Sequence, residues 1–367
     1  MKRTTQLAHI RQLCCIGLHG QALMPTLLRA VREYVSADSA GFFWVDTQGE
    51  MTNLYADRML SPSLMRLYFE RYYDGGEHPF RKAFLDRARA IEPVTSSSPT
   101  SELTKTAYYN EILRHLEAHH VMYAVIRDQR HALGQLSLYR PRNASAFTAE
   151  ERNAIKDISH YVAHAVNRPK ELLAQVEFVD ADAEGLVVVN FQGQIVEGGA
   201  KSLNLLSMAL KREFNPGMPP LVTGDSVPPV VQQLLTLLQR AILGEPVAAP
   251  RTAIDGPWGR FLLSVYALDD ETGSPVSRAA VHIRRQQPMI LKFAEAMGNF
   301  DISPQQREVA MLLARGRSNQ QISAALNVSA NTVNYHIKQL FVRLDAHDRA
   351  DVVAKMLGGA QLSASPR

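Results

Sequence analysis

The stretch NVSANTVNYHIKQLFVRL (residues 327–344) has two unlike faces when it is wound as a helix. One side carries an apolar stripe at helical spacing, made of Val333, Ile337, Leu340 and Leu344. Another side carries an amide, a phenol and an ammonium group, on Asn334, Tyr335 and Lys338. The stripe indicates an ordinary buried face, so the question is what the polar face contacts.

Capping signals upstream of this stretch predict two further helices. Ser303 before Pro304 is a favoured helix start, and Gly316 is a left-handed stop. Ser318 and Gln321 have the spacing of a capping box. The buried sides of the two helices are expected to be Val309, Leu312 and Leu313, then Ile322, Ala325 and Leu326. The sequence therefore predicts two helices before residues 327–344, and the second of them is short.

The link between the second and third helices is a tight turn. Asn327 tolerates a left-handed backbone, Ser329 caps the following helix, and Asp348 caps a fourth helix, RADVVAKML. Two short helices joined by such a turn, the second with a polar face, make a helix-turn-helix.

The segment ISPQQREVAMLLARGRSNQQISAALNVSANTVNYHIKQLFVRLDAHDRADVV resembles the LuxR-type (NarL/FixJ) DNA-binding domain almost end to end. The matching marks include Pro304, Arg307-Glu308-Val309, Gly316, Ser318-Asn319, Ile322, Leu326, Val328-Ser329, Thr332-Val333, His336, Leu344 and Arg349. The C-terminal region of sigma factors shares the general helix pattern, but it usually lacks the His336 mark and the LFVRLDAHDR tail. The resemblance implies a four-helix domain over residues 296–361 that binds double-stranded DNA.

The resemblance also implies which residues meet DNA. The predicted DNA-binding set is Ser329, Asn331, Thr332, Asn334, Tyr335, Lys338 and Arg343. Asn334 stands where the family usually has Lys, and Asn pairs bidentately with adenine whereas Lys favours guanine acceptors or phosphate. For Ser329 and Thr332 capping is an alternative, and for Arg343 a solvated charge. His336 is expected to pack against the domain, and Arg349 to tie the last two helices together.

The rest of the 367-residue chain is predicted to form two α+β domains, each an antiparallel sheet with flanking helices. In residues 1–168, AGFFWVD pairs with MTNLYAD and VMYAVIRD with ALGQLSLYR as hairpins. A helix capped by Thr148 and Glu151 follows, with a stripe of Ile155, Ile158, Tyr161 and Val162. Residues 172–287 repeat this order, with GLVVVN and QIVE flanking a turn. The expected breaks are NRPKE (167–171) and RQQPMI (285–290).

LGQLSLYRP followed by FTAEERNAI resembles a GAF domain, and residues 172–287 are similar to a PAS domain. Both families are sensor modules that hold small molecules or carry dimer contacts. The candidate effector pocket lies in the first domain, where Phe42, Trp44, Tyr123 and Tyr139 line a cavity or belong to the core, the core being favoured. We expect a homodimer, with Val352, Met356 or the terminal GAF helix at the contact. RNA polymerase is a further candidate partner.

Composition and motifs argue against the rival classes. The formal net charge of +4 permits a nucleic-acid partner, and 46% hydrophobic residues are ordinary for a globular protein. No signal peptide or membrane span is evident, which predicts a cytoplasmic protein; Cys14 and Cys15 are expected to be buried thiols. Phosphate-loop, GxSxG and HExxH motifs do not occur, so no catalysis or cofactor is expected. The histidines at 78, 115, 119, 120 and 131 lack metal-site spacing. The alternative interpretation is a sensor-linked signalling enzyme or a sigma-factor-like transcription protein.

Overall fold

The computed structural model describes most of the chain. The residues described are 3–58, 60–73, 75, 80–167, 177–210, 221, 223–268, 277–298, 300 and 302–358. Two antiparallel sheets with flanking helices are followed by a helical C-terminal region, as the sequence predicts. Among the described helices, none combines the length and apolar character that a bilayer crossing requires.

The first sheet contains β1 (Ser39–Val45), β2 (Met51–Ala56), β3 (Val94–Ser97), β4 (His120–Arg127) and β5 (Ala132–Arg140), in the order β2-β1-β5-β4-β3. The predicted hairpins are confirmed as β1–β2 and β4–β5. The helices are α1 (Arg3–Cys14), α2 (Gly20–Tyr34), α3 (Pro62–Arg71), α4 (Phe80–Arg89) and α5 (Ala149–Val166). Helices α2 and α5 pack on one face of the sheet, and α4 packs on the other face around Phe43 and Phe84. The sheet is therefore covered on both sides.

Helix α5 begins where the sequence predicts. Thr148 and Glu151 form the capping box. Ile155, Ile158 and Val162 are buried, whereas Tyr161 is half-buried, with the Arg11 guanidinium 4.9 Å from its ring centre. An ion pair between the buried Arg140 and the half-buried Glu151, at 2.6 Å, ties the start of α5 to the end of β5.

The second sheet has the same strand order as the first. It contains β6 (Phe178–Asn190), β7 (Ile195–Gly198), β8 (Arg251–Gly256), β9 (Gly259–Leu268) and β10 (Arg278–Pro288), in the order β7-β6-β10-β9-β8. Helices α6 (Ala200–Ala209) and α7 (Pro229–Ile242) lie between β7 and β8 in the chain. They bury apolar stripes that include Leu206, Val231 and Leu235.

The helical region consists of α8 (Met289–Met297), α9 (Pro304–Ala314), α10 (Asn319–Leu326), α11 (Ala330–Leu344) and α12 (Arg349–Met356). The expected break at 285–290 is occupied by the end of β10 and the first residues of α8. Residues 168–171 of the other expected break lie outside the described residues. Helix α8 was not foreseen as a connector, and its apolar side, with Leu291, Phe293 and Met297, is fully buried. A strand therefore passes directly into a buried helix that leads to the last four helices.

One continuous apolar core joins the three regions. Trp258, before β9, sits with its ring centre 5.7 Å from both Trp44 and Tyr55 of the first sheet. The buried Arg285 of β10 donates to the carbonyls of Trp258 (2.9 Å) and Ala22 (3.3 Å). These contacts fix the two sheet domains against each other.

The turn chemistry of the C-terminal helices follows the sequence closely. Ser303 with Gln306, and Ser318 with Gln321, form complete capping boxes. Gly316 has a φ of +70° after α9, and Asn327 a φ of +51° after α10. Ser329 and Asp348 cap α11 and α12. Ala325, however, is exposed rather than part of the core of α10, and Leu312 and Leu326 are only half-buried.

Candidate nucleic-acid interface

Helix α11 is a rigid platform with one buried side. Its predicted apolar stripe is confirmed, since Val333, Ile337, Leu340 and Leu344 are all buried. The helix has 15 residues, so it is about 22 Å long. A helix of this length fits lengthwise into the major groove of DNA.

The predicted DNA-contacting side chains lie together on the solvent side of α11. Exposed residues are Ser329, Asn331, Asn334, Tyr335, Lys338 and Arg343, and Thr332 is half-buried. Tyr335 keeps 59% of its surface accessible. Six of the seven predicted side chains are therefore accessible to solvent.

The hydroxyls at the start of α11 already have a structural role. Ser329 Oγ accepts a hydrogen bond from the Thr332 amide at 3.1 Å and lies 2.8 Å from Thr332 Oγ1. The capping alternative is thus realised at Ser329. A phosphate contact from either hydroxyl is an additional proposal, because a helix N-terminus favours anions.

Asn334 is held in place by a residue that sequence reasoning did not assign to the site. Asn319, at the start of α10, donates from Nδ2 to Asn334 Oδ1 at 2.5 Å, and Arg349 donates to Asn319 Oδ1. Arg349 also donates to the Arg317 carbonyl at 3.1 Å. Arg349 therefore ties α12 to the start of α10, rather than to α11 as expected. In the sequence, Asn319 stood out only because Ser318-Asn319 matches the family pattern, and this match was the one signal that could have pointed to its role.

The electrostatics of this surface favour a polyanion. No acidic residue occurs in the sequence between Glu308 and Asp345, whereas Lys338 and Arg343 are exposed on α11. Exposed cations attract the phosphate backbone and release its counterions on binding.

His336 on α11 and the apolar side chains of α12 lie next to this surface. His336 is half-buried, its Nδ1 is buried with no hydrogen-bond partner among the described residues, and it packs on the domain as predicted. Val352 and Met356 were candidates for a dimer contact, but they are fully used inside the domain, with 0% and 1% of their surfaces exposed. Their burial under α8 and α9 leaves them no role at a partner's surface.

A cavity of about 280 Å³ lies in the first domain, between the sheet and the segment that carries α3 and α4. Tyr123 and Tyr139 line it. Phe42 borders it, but its ring is fully buried and packs edge-on against Trp44, 4.8 Å away. Trp44 does not line the cavity. Burial raises the pKa of the Tyr123 and Tyr139 phenols, so both stay protonated and able to donate hydrogen bonds.

The other candidate groups do not assemble into a site. No cluster of three or more metal-binding side chains occurs among the described residues, and His78 lies outside them. His119 and His120 instead bond to Tyr109 (2.9 Å) and Ser98 (2.7 Å). Cys14 is buried, and burial raises the pKa of its thiol; Cys15 is exposed, so the expectation of two buried thiols was half wrong.

Comparisons with known proteins agree with this geometry. Residues 301–356 match the model for bacterial regulatory proteins of the luxR family, and residues 19–166 match the GAF domain model. The Escherichia coli (strain K12) protein YhjB, whose name describes an HTH-type transcriptional regulator, is 44% identical over 48 residues, which are 13% of this chain and 24% of YhjB. SgaR of Hyphomicrobium methylovorum, whose name describes a transcriptional regulatory protein, is 32% identical over 109 residues, 28% of this chain and 49% of SgaR.

Solved structures resemble the chain only in part. A GAF domain/HD domain protein from Geobacter sulfurreducens is 17% identical with a TM-score of 0.32, covering 43% of this chain and 97% of its own. A Vibrio cholerae VqmA–ligand–DNA complex is 15% identical with a TM-score of 0.23, covering 51% and 87%. The chain spans about a quarter and about half of the lengths of the two curated relatives. The match over residues 301–356 nevertheless coincides with α9 to α12, and the GAF match with the first sheet domain. The chain therefore combines a GAF domain with a helix-turn-helix domain of the luxR family of bacterial regulatory proteins.

Proposed function

We propose that this chain is a cytoplasmic transcription regulator that binds double-stranded DNA as a homodimer, under the control of a signal received by its N-terminal domains. The observation that carries the proposal is α11, whose polar face is exposed on a fully packed helix-turn-helix while its apolar face is buried. RNA polymerase is the further partner that such a regulator would engage. We propose no catalytic role.

The DNA contacts in this proposal fall into two kinds. Asn334 and Tyr335 reach base edges, where an amide pairs with adenine and an aromatic ring meets a thymine methyl group. Ser329, Asn331, Thr332, Lys338 and Arg343 contact the phosphate backbone or, for Lys338, guanine. Base contacts set the preferred sequence, and phosphate contacts set the register and most of the salt dependence.

A homodimer is proposed because one recognition helix buries little DNA surface and specific binding normally needs two half-sites about one helical turn apart. With Val352 and Met356 buried, the remaining candidate contact is the terminal GAF helix α5. Residues 172–287 are proposed to form a PAS-like domain, and the strand order shared by the two sheets supports this. The second domain would transmit the signal through β10 and α8.

The test is selection of bound sequences from random double-stranded DNA by the full chain, followed by mobility-shift assays with the selected and scrambled sites. Enrichment of a two-fold symmetric site, with dimers on DNA in sedimentation experiments, is the expected result. A chain that enriches no sequence would refute the function. A chain that stays monomeric both free and on DNA would refute the assembly.

A further inference from the structure

The wall of the GAF cavity is aromatic and carries no carboxylate. Its rings include those of Phe43, Phe80, Tyr68, Tyr108, Tyr123 and Tyr139, and none of its lining residues in the described part of the chain is Asp or Glu. Burial raises the pKa of all four tyrosines, so each phenol remains an uncharged donor. The cavity therefore suits a flat apolar body with polar substituents.

Two cations line this cavity, and they differ in their pairing. Arg58 is paired with Glu117 at 2.5 Å, so its charge is already compensated. Arg87 on α4 is half-buried and forms no ion pair among the described residues. A partly desolvated guanidinium without a counter-ion is costly, and a carboxylate satisfies it with a bidentate pair.

The orientation of Arg87 is fixed by the sheet beneath it. Its Nε donates to Gln135 Oε1 at 2.8 Å, and Gln135, which is fully buried, donates to Ser137 Oγ at 3.1 Å. Its guanidinium also lies 4.6 Å from the centre of the Tyr123 ring. The two terminal nitrogens of Arg87 have no hydrogen-bond partner among the described residues. A preorganised donor pair thus remains available at the wall of the cavity.

We propose that the GAF cavity binds a small aromatic carboxylate, with its carboxylate on Arg87 and its ring among the tyrosines. A cavity of about 280 Å³ lies at the small end of the range for small-molecule pockets, which is roughly 300–1,000 Å³. That volume suits a single ring with a short acidic side chain. The inference rests on the proposed sensor role of this domain and names the chemistry of its ligand.

The test is calorimetric titration of the full chain with cinnamate and with its neutral carboxamide, and with octanoate as an aliphatic carboxylate. Benzoate and 4-hydroxybenzoate complete the panel. Cinnamate is expected to bind at least tenfold more tightly than the carboxamide or octanoate. Arg87→Gln should weaken cinnamate binding by roughly 10- to 100-fold and leave carboxamide binding unchanged, because only a charge-assisted pair is lost. Arg89→Gln, which removes the same charge from an exposed position on the same helix, is the matched control and should bind like the wild type.

Equal affinity for cinnamate and its carboxamide, or an Arg87→Gln chain that binds like Arg89→Gln, would overturn the role of the carboxylate. Octanoate binding as tightly as cinnamate would overturn the aromatic body, and a panel in which nothing binds would overturn the site. If Arg87→Gln does not fold, the affinities of the wild-type chain for cinnamate and for its carboxamide still test the role of the carboxylate. Titrations need no DNA, so a chain that binds cinnamate but selects no DNA refutes the proposed function and leaves this inference standing. A chain that selects DNA but binds no compound of the panel leaves the proposed DNA-binding function standing and refutes this inference.

Discussion

Replacing Asn334 or Asn319 with alanine tests the recognition surface most directly. Asn334 is exposed and uncharged, so its main contribution to DNA binding is a hydrogen bond to a base edge. Asn319 holds the Asn334 carbonyl oxygen at 2.5 Å and is predicted to act on DNA only through it. The two variants should therefore lose preference at the same base pair, but to different extents.

The magnitudes follow from the two kinds of hydrogen bond. Loss of a base-edge contact costs about 1–3 kcal/mol for each half-site, so Asn334→Ala should cost about 2–6 kcal/mol in a dimer, a loss of at least roughly 30-fold. An intramolecular hydrogen bond is worth about 0.5–1.5 kcal/mol net, so Asn319→Ala should cost about 1–3 kcal/mol in a dimer, or roughly 5- to 150-fold. Arg349 keeps its bond to the Arg317 carbonyl, so the fold should tolerate the loss of Asn319.

The assay is fluorescence anisotropy with a selected site, the same site changed at one base pair at a time, and scrambled DNA. Both variants should bind scrambled DNA like the wild type. Gln320→Ala, which removes an exposed amide next to Asn319, is the control and should change nothing. If Asn334→Ala keeps both its affinity and its base preference, α11 does not read bases through this residue. If Asn319→Ala matches Gln320→Ala, the 2.5 Å contact does not position the amide.

Three further predictions concern charge. Lys338→Ala should weaken selected and scrambled DNA alike and lower the slope of log affinity against log salt by about one for each half-site, and an unchanged slope would exclude a phosphate contact. Burial, assisted by the nearby Arg307, lowers the pKa of His9 to about 4, so the stability contributed by neutral His9 is complete above about pH 6.5 and falls as the pH drops toward 4. At pH 5 that loss is on the order of 2 kcal/mol. Urea unfolding at pH 7.5 and pH 5.0 should show the loss in the wild type and not in His9→Gln. An equal loss in both proteins would contradict the assignment of this pH dependence to His9. Arg140→Ala removes the partner of the half-buried Glu151, which keeps its hydrogen bond from the Thr148 amide. The unfolding free energy should fall by about 1.5–3 kcal/mol in chemical denaturation, whereas an unchanged value would contradict a stabilising pair.

The sequence by itself determined the elements whose causes are local. Capping boxes, left-handed stops and the turn at Asn327 act over three to five residues, so they could be read in order along the chain. The buried stripe of α11 and the β-hairpins follow from periodicity in the same way. This information was sufficient for the helix-turn-helix and for the exposure of its polar face.

Tertiary structure alone decided what covers each apolar face. Periodicity marks Val352 and Met356 as apolar, but only the packing of α8 and α9 shows that they are buried within the chain. Trp44 contacts Trp258 because the second sheet domain lies against the first.

The candidate sites show the same limit. Asn319 and Asn334 are 15 positions apart, and Arg87 and Gln135 are 48 apart, so no local pattern links them. Contacts between distant residues depend on how separate elements pack, and a sequence pattern with a period of two or 3.6 residues carries no information about that arrangement.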